Sequence, residues 1–322
     1  MVVSRLHALI TGIGGFAGRY LAEQLRLSGW QVSGTSRDAL PAGQLPDDLP
    51  IVPADLTVAG HVAELIDTTR PDVIFHLAAQ ANVPQSFADP AATFHANVIP
   101  QLNLFQAILA QRIDPLIVIA GSAEIYGLVQ PADLPINETT PLRPVNPYAV
   151  AKATQDLLAF QYYQSHGLRT IRLRLFNHIG PRQTEQYVAS AFAAQIARIE
   201  AGRQPAVLRV GNLAAQRDFS DVRDIARAYE SAARHGEAGS AYNVGSDRSV
   251  SIEQILGILL AQSTRRITVE QDPARMRPSD VPRIVSDSRY FRNCTGWQPQ
   301  IPLEQTLRDI LAYWRQQIQE HP

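Results

Sequence analysis

Cysteine is almost missing: among 322 residues there is one, Cys294. No disulfide can close within the chain, which implies a reducing compartment, and a single thiol reads as a buried or half-buried side chain rather than a nucleophile. An excess of charge of one sign is missing too. Lys plus Arg number 29 against 30 for Asp plus Glu, a formal net charge of −1, so no overall field draws the chain to nucleic acid or to an anionic membrane. Any anionic ligand must be held by a local cluster. Long apolar runs are absent as well. The opening MVVSRLHALITGIGGFAG is too short and too glycine-rich for a membrane span, and it carries no small-residue cleavage site after a basic segment. A cytoplasmic protein is expected, with no membrane partner and no metal. There is no fixed-period repeat or low-complexity tract. What is present is ordinary: 45% hydrophobic and 18% charged residues, enough for a sizeable core in one large domain or two closely joined ones.

Short β-rich runs alternate with amphipathic helical patterns through the first half. The order is HALIT, a helix over 18–28, WQVSGTS, a helix over 61–69, DVIFHLA, a helix over 93–111, PLIVIAGS, a long helix over 148–166, and TIRLRLF. That alternation predicts an α/β fold with a Rossmann-type, doubly wound parallel sheet. DALPAGQLPDDLPI (38–51) reads as a connecting loop. After Asn177 the rhythm changes to a helix over 188–201 and the polar, arginine-bearing VGNLAAQRDFSDVRD. A helix over 223–234 and the strand AYNVGS look like returns to the sheet, and a terminal amphipathic helix covers 303–317. The expected division is a sheet domain from 1–175, with 222–247 returning to it, and a smaller C-terminal lobe from 176–221 and 248–322. A ligand then sits between the two, above the carboxyl ends of the strands.

TGIGGFAG places Gly12, Gly15 and Gly18 three residues apart, after a strand and opening a helix. Glycines allow a tight turn and close approach of a pyrophosphate, which the helix N-terminus stabilises. The pattern departs from GxGxxG, and glycine-rich turns between strand and helix are common for geometric reasons alone. In a first βαβ unit, followed by Asp55 after the third strand, it reads as a dinucleotide site. The second strand ends in GTSR, without the acid that would accept from an adenosine ribose; Ser36 and Arg37 instead suit a 2′-phosphate. NADP(H) is therefore the preferred cofactor and NAD(H) the permitted one. A solvated arginine beside Asp38 is the competing reading of Arg37.

NPYAVAKA sets Tyr148 and Lys152 four residues apart on one helix face. An ammonium near a phenol favours the phenolate and lowers its pKa toward acid–base use. Tyr and Lys at this spacing are frequent on half-buried helices; Ser122, ending the preceding strand, is what makes the group specific, because together they can polarise a carbonyl. GSAEIYG adds Glu124, an acid two residues past that serine, with no role fixed by its position alone.

TGIGGFAG, FHLAA, GSAEIYG, YAVAK and RLFNHIGP, in this order over nearly the whole chain, resemble the extended short-chain dehydrogenase/reductase family. The resemblance implies hydride chemistry on nucleotide sugars. Tyr148 exchanges the proton with the sugar oxygen, Ser122 hydrogen-bonds it, and Lys152 binds the nicotinamide ribose and tunes Tyr148. It places Phe16, Ala17 and Leu56 beside the glycines and Asp55 in the cofactor site. It lines that site further with His76, Leu77, Ala78 and Ala79, and borders nicotinamide and sugar with Phe176 and Asn177. A homodimer is also implied, pairing the helix over 93–111 with the one bearing Tyr148 and Lys152. A non-enzymatic nucleotide-sensing protein on this fold would be expected to have lost Tyr or Lys; both are present.

Arginine gathers where the second lobe should face the cleft, at Arg209, Arg217 and Arg277, and an arginine fork binds diphosphate oxygens bidentately. Arg223 and Arg227 read instead as surface arginines paired with acids. VGNLAAQRDFSDVRD followed by RPSDVP is similar to enzymes of the family that act on GDP-6-deoxyhexoses. That likeness assigns Asn177, Val188, Arg209, Asn212, Arg217 and Arg277 to the substrate and Asp280 to the guanosine ribose. Two reactions fit. One is NADPH-dependent reduction of the C4 ketone of GDP-4-dehydro-6-deoxy-D-mannose to GDP-D-rhamnose; the other is 4,6-dehydration of GDP-mannose, which needs a carboxylate where Glu124 stands. The dehydratase pattern is broken by serine for threonine at Ser122, alanine for serine at Ala123, Ala191 for a lysine, and RDFSDVRD for RDWGHAKD. The reduction is the expected reaction, with Glu124 an inherited group that orients substrate.

Overall fold

The structure, a computed structural model, describes residues 5–41, 43–275 and 281–320. Its first unit is β1 (His7–Thr11), α1 (Phe16–Leu27), β2 (Gln31–Ser36) and β3 (Ile51–Pro53). Then come α2 (Ala59–Thr69), β4 (Val73–His76), α3 (Val83–Ala88), α4 (Pro90–Gln111), β5 (Leu116–Ala120), α5 (Pro147–His166) and β6 (Thr170–Leu175). Beyond these lie β7 (Asn177–Ile179), α6 (Val188–Glu200), β8 (Val207–Val210), β9 (Gln216–Asp221), α7 (Val222–His235) and β10 (Ala241–Val244). The chain ends with β11 (Ser249–Ser251), α8 (Ile252–Leu260), β12 (Thr268–Gln271), α9 (Arg289–Thr295) and α10 (Leu303–Glu320).

Seven strands form one sheet in the order β10-β6-β5-β4-β1-β2-β3, and every neighbouring pair is parallel. The chain runs outward from β1 to β3 and then crosses back to β4, so the order reverses between β1 and β4. A crevice at the carboxyl ends of these two strands is the expected ligand position. Alternation along each strand serves both faces. Ala8 and Ile10 pack with α1 and α7, whereas Leu9 packs with α2, α4 and α5. Strands covered on both sides in this way read as continuous apolar runs, which is why HALIT and LIVIA stand out in the sequence.

Helix starts lie up to three residues earlier than the periodicity predicts. α4 begins at Pro90 because the Asp89 side chain accepts from the Ala92 amide and Pro90 occupies the first turn. Helix α7 packs on α1 and β10 pairs with β6, so both belong to the main sheet layer. A separate apolar cluster joins α6, α8 and α10 with β8 and β9. Among the described residues no helix is long and apolar enough to cross a membrane.

Candidate active site

The turn after β1 is built by steric exclusion. Gly12 has φ +70, and a Cβ there would lie 2.9 Å from the Ala78 backbone across the crevice. A Cβ on Gly18 would meet the Gly12 carbonyl at 2.5 Å. Gly15 caps α1 with no side-chain bond, which leaves the first-turn amides of Phe16, Ala17 and Gly18 without a side-chain partner. Open amides at a helix start, beside backbone that no side chain crowds, fit a pyrophosphate. Phe16 stacks on the half-buried ring of His178, their centroids 6.0 Å apart.

At the neighbouring strand end His76 is fully buried. Its Nδ1 lies 2.9 Å from Thr11 Oγ1, while its Nε2 has no partner among the described residues. Burial, with the Lys152 charge nearby, pushes its pKa down to about 3, so the ring is neutral. Leu77, Ala78 and Ala79 follow, half-buried. They are held in place by Asn97 of α4, which accepts from the Gln80 amide at 2.7 Å and donates to its carbonyl at 3.1 Å. Farther out, Asp55 accepts from the Thr57 amide and hydroxyl, and Leu56 is buried beside it. Ser36 donates to the Asp38 carbonyl, and Arg37 forms an exposed ion pair with the Asp38 carboxylate at 3.1 Å.

The catalytic group comes from β5 and α5. Ser122, just past β5, lies close enough to the Tyr148 phenol to lower its pKa, while the field of Glu124 raises it. Ser122 Oγ itself accepts from the Glu124 amide at 3.2 Å. One turn along α5, Lys152 donates to the Ala120 carbonyl at 2.7 Å. Burial lowers the Lys152 pKa to about 8. The expectation that Lys152 would lower the Tyr148 pKa is not met. Burial raises the phenol well above its ordinary value, Ser122 offsets part of this, and the lysine is turned to a backbone carbonyl. Tyr148 is held as a neutral acid.

Glu124 is half-buried in a 3-10 turn, Ala123–Tyr126. Its Oε2 accepts from the Asn146 side-chain amide at 3.2 Å. The same Asn146 caps α5 by accepting from the Ala149 amide at 2.7 Å. One residue thus fixes both the helix start and the acid. The asparagine before Pro147 is a sequence-legible helix start, but nothing in the sequence ties it to Glu124.

On the substrate side, Phe176 is buried, and Asn177 opens β7 with its side chain exposed. Val188 begins α6 just past Tyr187, whose field reaches Tyr148. One and two turns on, Ala191 and Gln195 line a cavity of about 550 Å³ together with Arg198, Arg209 and Glu270. Asn212 accepts from the Ala214 amide. Arg217 uses Nη1 for the Gln216 and Val281 carbonyls at 2.8 and 2.7 Å, which ties β9 to the segment that follows 280. Arg277 and Asp280 lie outside the described residues. Arg223 and Arg227 pair with acids as expected, Arg223 with Asp221 and Asp309, Arg227 with Asp224.

The model of the GDP-mannose 4,6 dehydratase family matches residues 9–310. GDP-6-deoxy-D-mannose reductase of Pseudomonas aeruginosa is 36% identical over 97% of this chain and 98% of its own length. GDP-mannose 4,6-dehydratase of Vibrio cholerae is 30% identical over 98% and 95%. Among solved structures, RMD from Pseudomonas aeruginosa complexed with NADPH superposes with a TM-score of 0.87 at 34% identity, covering 97% of this chain and 99% of that one. UDP-glucose 4-epimerase of Thermus thermophilus in complex with NAD gives a TM-score of 0.87 at 29% identity, over 96% and 99%. Matched from the first strand into the last helix, the chain belongs to the GDP-mannose 4,6 dehydratase family.

Proposed function

We propose that this protein reduces the C4 ketone of GDP-4-dehydro-6-deoxy-D-mannose to GDP-D-rhamnose with NADPH, NAD(H) being the permitted alternative. The observation that carries the reading is the neutral acid Tyr148, buried on α5 beside Ser122, with its pKa raised by that burial. Reduction of a ketone generates an alkoxide that must be protonated, and a phenol that keeps its proton at neutral pH is the group to supply it. The full-length likeness to the reductase exceeds that to the dehydratase by 36% to 30% identity.

Bound NADPH supplies the hydride. The open first turn of α1 would hold its pyrophosphate and Lys152 its nicotinamide ribose. Arg37 would leave Asp38 for a 2′-phosphate, whose charge of nearly two competes well with one exposed carboxylate. Tyr148 and Ser122 receive the sugar oxygen. From there α6 leads toward the cavity at Arg209, so a sugar nucleotide has its reacting ring at the start of the helix and its nucleotide one to two turns along. We also place the division between a sheet domain and a substrate lobe at the residues expected from sequence, the protein in the cytoplasm, and two copies joined through α4 and α5.

The second reading, dehydration of GDP-mannose, is favoured by one observation: Glu124 is retained beside Tyr148. Against it, the carboxylate is bound by Asn146, and Ala191 stands at the α6 position assigned to a dehydratase lysine. The two readings part on redox balance. A dehydratase recycles tightly held NADP⁺ in each turnover, whereas the reductase consumes one NADPH per product. Purified protein given GDP-mannose alone is expected to form no 4-keto-6-deoxy sugar. Given the 4-keto sugar and NADPH, it is expected to oxidise the cofactor stoichiometrically, and Glu124→Gln retains most of that rate. Conversion of GDP-mannose without added NADPH, abolished in Glu124→Gln, would establish the dehydratase instead.

A further inference from the structure

Three motifs contain residues that neither cofactor nor sugar chemistry accounts for: the tyrosine of GSAEIYG, the second arginine of TIRLRLF, and the aspartate four residues past Lys152. The structure brings all three together. β6 alternates Ile171, Leu173 and Leu175 into the core with Arg172 and Arg174 on its other face. Those arginines are not at a solvated edge: β6 lies between β5 and β10, and their side chains are only 11% and 9% exposed beneath α5.

Arg174 grips Asp156 through both carboxylate oxygens, Nε to Oδ1 at 2.9 Å and Nη2 to Oδ2 at 3.1 Å. Its Nη1 donates to the Tyr126 phenol oxygen and to the Glu138 carbonyl, each at 3.0 Å. Tyr126 in turn donates to Asn243 Oδ1 at 2.6 Å. Asp156 follows Tyr148 and Lys152 at four-residue steps on α5, one face of the helix. Tyr126 closes the 3-10 turn that carries Ser122 and Glu124. One planar guanidinium therefore links the helix bearing the acid to the turn bearing its two neighbours.

Apolar contact is non-directional, and a buried charge pair adds little stability over well-packed apolar residues of the same size. What a fork of bonds supplies is fixed geometry. Within the turn the Ile125 and Gly127 amides donate to the Ser122 and Glu124 carbonyls at 3.3 and 3.1 Å, and the Glu124 amide donates to Ser122 Oγ at 3.2 Å. Ala123, Ile125 and Tyr126 pack in an apolar cluster, and at the far end of the turn the directional bonds are those that Tyr126 makes to Arg174 and Asn243. We infer that Asp156, Arg174 and Tyr126 are positioning residues that set Ser122 and Glu124 against Tyr148, acting on the reaction through those groups rather than on the substrate.

The inference rests on the proposed reductase reading for its kinetic arm alone. Tyr126→Phe keeps the ring and removes the oxygen that Arg174 and Asn243 share. Expected is a fall in kcat of about tenfold or more, with the KM for the 4-keto sugar and the Kd for NADPH within twofold of wild type, since alignment and not binding is lost. Amide hydrogen exchange at Ile125 and Gly127 should quicken by a similar factor in the ligand-free chain. Arg174→Lys, which keeps a charge beside Asp156 but lacks the planar fork, carries the same test should the tyrosine variant fail to fold. Wild-type kcat in the variant, or unchanged exchange at the two amides, would overturn the inference. Wild-type protein inert toward the 4-keto sugar would overturn the reductase reading, and the exchange measurement would still decide this one.

Discussion

Tyr148 and Lys152 stand on one helix face and meet opposite fates through burial. Desolvation disfavours whichever form is charged, so it raises the phenol and lowers the ammonium, the latter to about 8. Below that pH Lys152 is a cation; above it the lysine is neutral and contributes nothing to an anionic cofactor. Tyr148 keeps its proton throughout. The kcat/KM for NADPH, which reports the free protein, is therefore expected to be flat from pH 6.5 to 7.5 and to fall as pH climbs through about 8, approaching tenfold per unit. Lys152→Arg, whatever its absolute rate, should show no such limb, because a guanidinium stays charged. A limb near pH 8 that persists in Lys152→Arg would assign the titration to another group and remove Lys152 from the cofactor site.

At the scale of elements, the parallel sheet was legible because strands buried on both faces leave unbroken apolar runs. The cofactor turn was legible because only glycine tolerates its geometry. β9 was not legible. QRDFSD alternates nothing apolar, since its acids point inward to polar partners rather than to an oily face. Asp218 is fully buried there and accepts from the Ser246 amide and hydroxyl, the Asp247 amide, and the Ser286 amide and hydroxyl. It joins β9 to the loop after β10 and to the segment returning beyond 280. The bond from Asn146 to Glu124, and the roles of Asn97 and Asp156, were hidden for the same reason: each serves a partner in a different element. Asp218→Asn turns an amide donor toward donors, so the variant should lose about 2–4 kcal/mol of stability. Urea unfolding checks this as a lower midpoint at unchanged slope. An unshifted midpoint would mean the loops hold without the carboxylate.

At the scale of the whole molecule, a formal charge of −1 offers little repulsion between copies, and association is decided by surface shape and apolarity. α5 gives its inner face to Tyr148, Lys152 and Asp156, yet its outer face carries Val150 and Leu157 at 38% and 59% exposure, and Phe160, at the border with its ring against Arg172, is 42% exposed beside them. Spacings of seven and three residues put these on one stripe. α4 packs alongside α5, so two copies meeting there would make a four-helix contact and cover the stripe on both sides. Leu157→Glu places two like charges near the twofold axis while touching nothing in the inner face. Sedimentation should find the wild type at twice 35.4 kDa and the variant at 35.4 kDa. Because the same helix holds the acid, the monomer should also bind NADPH normally yet turn over more slowly, as α5 loses its outer support. A wild type that sediments as a monomer at micromolar concentration, or a variant that stays dimeric, would place the association surface elsewhere.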